Sequence, residues 1–77
     1  MIKIYKIIYN SEVIYIGQTK QILKRRKNSG YLHIPKEIIE NSFLELIEET
    51  DDISRENYWI DYYRKEGCIL YNKNKDY

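Results

Sequence analysis

Apolar residues fall in short blocks along this chain, and the period of each block predicts an element. Ile2–Tyr9 (IKIYKIIY) packs four isoleucines and two tyrosines into eight residues. β-Branched and aromatic side chains suit a pleated sheet, so this block predicts a strand. Asn10-Ser11-Glu12 reads as a turn, and Val13–Ile16 is a second apolar run, so the two runs predict a hairpin. Gly17 is expected to end or kink the second strand. Gln18–Asn28 is rich in helix formers and predicts a short helix over Lys20–Asn28, with Gly30 just past its end and Ile22 and Leu23 toward the core. Pro35 suits the first turn of another short helix, Pro35–Glu40. Phe43–Glu49 alternates in part and reads as a third strand. Asp51 or Asp52 can cap a last helix, Ile53–Glu66, which Gly67 can close. Ile69–Asn72 is extended. The order is ββααβα, an α+β unit in which a three-stranded sheet is covered by helices.

Length narrows the picture to a single domain spanning 1–77. A chain of this size buries only about 60% of the surface it exposes when unfolded, so its stability margin is thin. The one cysteine, Cys68, cannot form an internal disulfide, which fits a reducing, cytoplasmic setting. No apolar run approaches the roughly 20 residues a membrane helix needs, and no signal peptide is evident. The formal charge of +1 conceals an asymmetry. Residues 1–36 carry eight Lys or Arg against one acid (net +7), and residues 37–77 five against eleven (net −6). A basic half can attract phosphate even when the whole chain is near neutral.

One carboxylate stands out on the last predicted helix. At 100° per residue, Ile53, Ile60 and Tyr63 share an arc of roughly 80°. Glu56 falls inside that arc, about 60° from Ile53 and about 40° from Ile60. A charge on the face that meets the sheet costs several kcal/mol unless something compensates it. Either Glu56 borders a cleft and holds a divalent cation, or it pairs with Arg25 or Arg26, or its side chain reaches out to water. Asn72 is the polar end of an otherwise apolar run. His33 has no second His or Cys at ligand spacing, so zinc is not expected.

Together these residues resemble a known family. Ile4-Tyr5, followed ten residues on by Tyr15-Ile16-Gly17, resembles the signature of the GIY-YIG nucleases. Arg25 stands eight residues past that glycine, where such nucleases place an arginine on their first helix. Arg55–Ile60 (RENYWI) is similar to the helix that supplies their metal-binding glutamate, above all in phage intron-encoded homing members. Leu70-Tyr71-Asn72 resembles the segment carrying their late asparagine, and His33 stands where some members have an active-site histidine. The resemblance runs from Ile2 to about Asn74. It implies a three-stranded antiparallel sheet flanked by helices. The chain departs from the pattern at Lys3, which replaces the first glycine of the signature, and in a shorter spacing between Arg25 and Glu56.

The resemblance implies a metal-dependent endonuclease acting on DNA, with RNA also open. Glu56 would hold Mg²⁺ (or Mn²⁺) in a one-metal site, because Mg²⁺ keeps much of its water and needs only one or two carboxylates. Arg25 would fork onto two phosphate oxygens. Tyr5 would act as general base and Tyr15 would hold the water or phosphate, the reverse being open. A tyrosine with its reference pKa near 10 is about one part in a thousand ionised at pH 7, so a neighbouring positive charge must help it. Asn72 would orient Glu56 or a metal-bound water, or only brace the terminal segment, and His33 would hold a metal-bound water or assist proton transfer. Lys3, Lys20, Lys24, Arg26 and Lys27 are candidate phosphate contacts, and Gly17 serves the backbone turn. With no separate reading module, low sequence specificity is expected, or specificity from self-association or a protein partner. Two other readings use the same residues: a non-catalytic nucleic-acid-binding module, and a protein-interaction or inhibitor domain.

Overall fold

The computed structural model describes residues 1–20 and 34–72. β1 (Ile2–Tyr9) and β2 (Glu12–Thr19) form an antiparallel hairpin. The turn between them is Asn10-Ser11, both at positive φ, 56° and 67°. Two successive left-handed residues give a hairpin turn whose twist matches that of its strands. α1 (Lys36–Glu40) is a short helix entered from Pro35, whose carbonyl accepts the N–H groups of Ile38 and Ile39 at 3.0 and 3.1 Å. β3 (Phe43–Thr50) pairs antiparallel with the other side of β1, and α2 (Arg55–Lys65) follows. The strand order is β2-β1-β3. Among the described residues the fold is therefore α+β, with a three-stranded antiparallel sheet and elements in the order ββαβα. The helix expected over Lys20–Asn28 lies, after Lys20, outside the described residues. Among those residues no helix is long and apolar enough to cross a membrane.

The central position of β1 explains its composition. It is hydrogen-bonded along both sides and covered on both faces, and Ile4, Tyr5 and Ile7 are fully buried. On one face Ile2, Ile4 and Ile16 pack against Ile60 of α2, with Val13, Ile47, Trp59, Tyr63 and Leu70 around them. On the other, Tyr5 and Ile7 pack with Ile14, Ile34 and the two isoleucines of α1. Each fully buried isoleucine contributes about 1.5–3 kcal/mol. Two bulges shift the register, one near Ile7–Ile8 against β2 and one near Ile4–Tyr5 against β3. Each leaves one residue unpaired, Ile14 and Ile47, and sends its side chain to a face that simple alternation would not assign.

α2 begins later than the apolar pattern predicts. Ile53 was expected on its buried arc, but it precedes the helix and is 69% exposed. The reason is local. The Asp52 carboxylate accepts both the Ser54 N–H (3.0 Å) and the Ser54 hydroxyl (2.7 Å), which holds the chain in a turn until Arg55. The other end matches expectation. Gly67, at φ +98°, donates its N–H to Arg64 O at 3.1 Å, and Cys68 N–H reaches Tyr63 O at 3.0 Å. That pair of bonds is the glycine-closed helix end in which a left-handed residue satisfies orphan carbonyls.

Ser11 occupies a left-handed position that costs an L-residue roughly 1–2 kcal/mol. Ser11→Gly is therefore expected to stabilise the fold by about 1 kcal/mol, net of glycine's added freedom when unfolded. Thermal unfolding checks this: a rise in Tm of about 4–8 °C is expected for a domain of this size.

Candidate active site

Strand register brings the two signature tyrosines to one face. Tyr5 pairs with Gly17, and Tyr15 pairs with Ile7 one step along. Gly17 does not end the strand, as its position after the apolar run suggested; it lies inside β2, which continues to Thr19. Its role is close approach. A Cβ there would stand 2.5 Å from both Cζ and Oη of Tyr5 and 2.9 Å from Cε2 of Tyr15. The missing side chain is what lets the Tyr5 ring lie across β2, with its centroid 6.4 Å from that of Tyr15 and the planes tilted by 38°. Tyr5 is entirely buried, whereas Tyr15 is only half-buried. Lys3 and Thr19 face each other on the same side of the sheet, one pleat beyond the Tyr5–Gly17 pair. Lys20 is exposed at the end of β2.

Asn72 sits on the outer edge of β2, between the two layers. Its Oδ1 accepts the Ile16 N–H at 3.0 Å and its Nδ2 donates to Ile16 O at 2.7 Å. The Asn72 side-chain amide thus imitates a peptide unit of a fourth strand. Tyr71 N–H adds a bond to Ile14 O at 2.7 Å. Of the two roles open to Asn72, the bonds described here belong to bracing the terminal segment. Arg64, which no motif or spacing singled out, takes part as well: its guanidinium donates to Asn72 O at 3.1 Å.

Glu56 lies on the opposite layer from the tyrosines. It is one helical turn before Ile60, the α2 residue buried against Ile4 and Ile16. α2 runs antiparallel to β2. At its start Arg55 bonds Glu48, which pairs with Ile4 and, across β1, lies level with Gln18. At its far end Gly67 and Cys68 stand beside Ser11–Val13. Glu56 therefore belongs to the same end of the sheet as Lys3, Gln18 and Lys20. Asn72 sits where the two layers adjoin around the edge of β2.

Two carboxylates on the α2 side of the sheet have opposite environments. Glu48 is gripped by Arg55 through Nε–Oε2 at 2.7 Å and a second bond at 3.2 Å, and this holds its carboxyl below the usual range. Glu56 is half-buried and has no ion pair or hydrogen bond among the described residues; burial alone pushes its carboxyl up. Arg25 and Arg26 lie outside the described residues, as do Lys24, Lys27 and His33. Among the described residues no three His, Cys, Asp or Glu side chains cluster as a metal site. A carboxylate with no partner among the described residues, at a sheet end, fits a hard cation that keeps most of its water, such as Mg²⁺.

Comparison with models of protein families, with curated proteins and with solved structures finds none that matches this chain.

Two outcomes follow from this geometry. Gly17→Ala is expected to destabilise the fold by about 1–3 kcal/mol, because the Tyr5 ring must leave its site; denaturant unfolding measures it. For Glu56, a folded-state carboxyl raised above its unfolded value means that the fold binds the proton more tightly. Stability then falls as pH rises from the ordinary glutamate range, about 4.3, through the raised folded value. Glu56→Gln should raise Tm at pH 7 in the absence of metal, and the gain should vanish below about pH 4.

Proposed function

We propose that this chain is a metal-dependent endonuclease of the GIY-YIG kind that hydrolyses phosphodiester bonds in DNA. The observation that carries the reading is Glu56: a half-buried carboxylate paired with no cationic side chain among the described residues, at the same end of the sheet as Lys3 and Lys20. In this reading the segment over Lys20–Asn28 is the helix that completes the order ββααβα and carries Arg25.

Glu56 would hold the divalent cation, Mg²⁺ or Mn²⁺, whose positive charge offsets the charge that builds on the phosphate during attack. The protein's own groups do the rest. Arg25 clamps two phosphate oxygens. Tyr15, the half-buried phenol, takes the proton of the attacking water or holds that water in line. Tyr5, entirely buried, sets the position of Tyr15 and of β2 at Gly17. Of the two assignments left open for the tyrosines, this is the reverse one, because a group screened from solvent is poorly placed to meet a water. Asn72 keeps β2 and the terminal segment in register. His33 assists proton transfer, and Lys3, Lys20, Lys24, Arg26 and Lys27 follow the nucleic-acid backbone. Lys3, in place of the signature glycine, brings a charge to the tyrosine face.

The complete burial of Tyr5 favours a second reading, in which the same face binds nucleic acid without cutting it. One assay separates the two. Wild type and Glu56→Gln are incubated with plasmid, single-stranded DNA or RNA, with Mg²⁺ or Mn²⁺. Cleavage by wild type, its loss in Glu56→Gln, and a fall of about 10²–10³ in rate for Arg25→Lys are expected. Binding of the cation should also raise Tm in wild type and not in Glu56→Gln. A wild type inert with both metals that still binds DNA with a steep salt dependence supports the binding module. One that neither cuts nor binds leaves a protein-interaction domain.

A further inference from the structure

We propose that the outer stripe of α2 is a self-association surface that takes the same stripe of a second copy of this chain, antiparallel and related by a two-fold axis. Tyr58, Asp61, Tyr62 and Lys65 stand at i, i+3, i+4 and i+7, the spacing of a continuous stripe along a helix. They line an open notch of about 230 Å³. Tyr58 is 50% and Tyr62 43% exposed. Their rings are not loose. Tyr58 packs edge-on to Trp59 at 5.1 Å, Trp59 to Tyr62 at 5.3 Å and Tyr62 to Tyr63 at 5.0 Å. Arg55 lies over the Tyr58 ring at 4.3 Å. Aromatic side chains already held in place lose little freedom on binding, and Tyr and Trp are enriched in the anchor positions of interfaces.

The charges choose the occupant. Lys36 and Glu40, four residues apart on α1, form an ion pair at 3.9 Å. Asp61 and Lys65 have the same spacing on α2 and form none, with each other or with any described residue. Among the described residues both charges are open to a partner, and they are equal and opposite. A phosphate backbone would meet Lys65 and be repelled by Asp61, and Arg55 is already engaged by Glu48. A second copy satisfies both at once. With antiparallel helices and a two-fold axis crossing near Tyr62 and Tyr63, Asp61 of each copy stands against Lys65 of the other, and the Tyr62 rings meet beside the axis. By the helical wheel Glu56 lies about 200° from Tyr58, on the far side of α2, so pairing through this stripe leaves both candidate sites open. If the chain is an endonuclease, two sites related by a two-fold axis match the two antiparallel strands of a duplex. Only this last consequence rests on the proposed function.

The test reads mass, not activity, so it can fail separately from the nuclease reading. Sedimentation equilibrium or light scattering is run from about 1 μM to about 1 mM, the span of weak to moderate association. The mass of wild type is expected to rise from 9.5 kDa toward twice that value. Asp61→Lys alone and Lys65→Asp alone should remain monomeric, with unchanged far-UV circular dichroism. The chain carrying both reversals should recover the dimer, because each reversed charge again meets its opposite across the axis. Tyr58→Ala combined with Tyr62→Ala should abolish the dimer. A wild type monomeric throughout the range overturns the proposal. So does a dimer indifferent to the single reversals, or one that the double reversal fails to restore. Weaker DNA binding by Lys65→Asp with no dimer in wild type would assign the stripe to nucleic acid instead.

Discussion

The burial of β1 from both sides is the constraint from which the remaining structure follows. A strand flanked by partners and covered above and below has no solvent-facing positions in its middle. Its tyrosine must go inside, and a ring of that size fits only if the neighbouring strand yields space. Gly17 yields it. The Tyr5–Gly17 contact in turn fixes the register of the hairpin, the position of Tyr15, and the level at which β2 presents its edge to Asn72. A side chain at position 17 would disturb all of these together.

Two layers with unlike characters result. The layer facing α2 is apolar apart from charges that are satisfied in place. Lys6, for instance, is disfavoured by burial, yet hydrogen bonds to Tyr63 and Glu45 outweigh this and hold its ammonium above the ordinary range. Glu56 is the exception, buried in part and with no compensating partner among the described residues. The other layer carries the phenols and Lys3. Chemistry that needs groups from both layers has to occur at the sheet's rim, which is where the chain pins itself down with Asn72.

What the sequence disclosed tracks how local each signal is. β1, β3 and the glycine that closes α2 depend on residues within a few positions of one another, and their limits emerge within a residue or so of expectation. Ile53 misled, because periodicity takes no account of a carboxylate that captures the next N–H but one. Gly17 misled in another way: a glycine after an apolar run looks like a stop, and only the ring lying across it shows that it permits packing. The bulges at Ile14 and Ile47 depend on pairing between distant strands and leave no trace in composition. The convergence of Asn72 on Ile16 spans 56 residues of chain, and nothing near either residue announces it.

The side-chain bonds of Asn72 also set a chemical clock. Slow deamidation, the conversion of an asparagine amide to a carboxylate, would replace its Nδ2 donor with an acceptor facing the Ile16 carbonyl. The attraction at the Ile16 carbonyl would become repulsion, and that point on the rim of β2 would be left open, a place at which strands of other molecules add. Aged preparations would then lose solubility before they lose secondary structure.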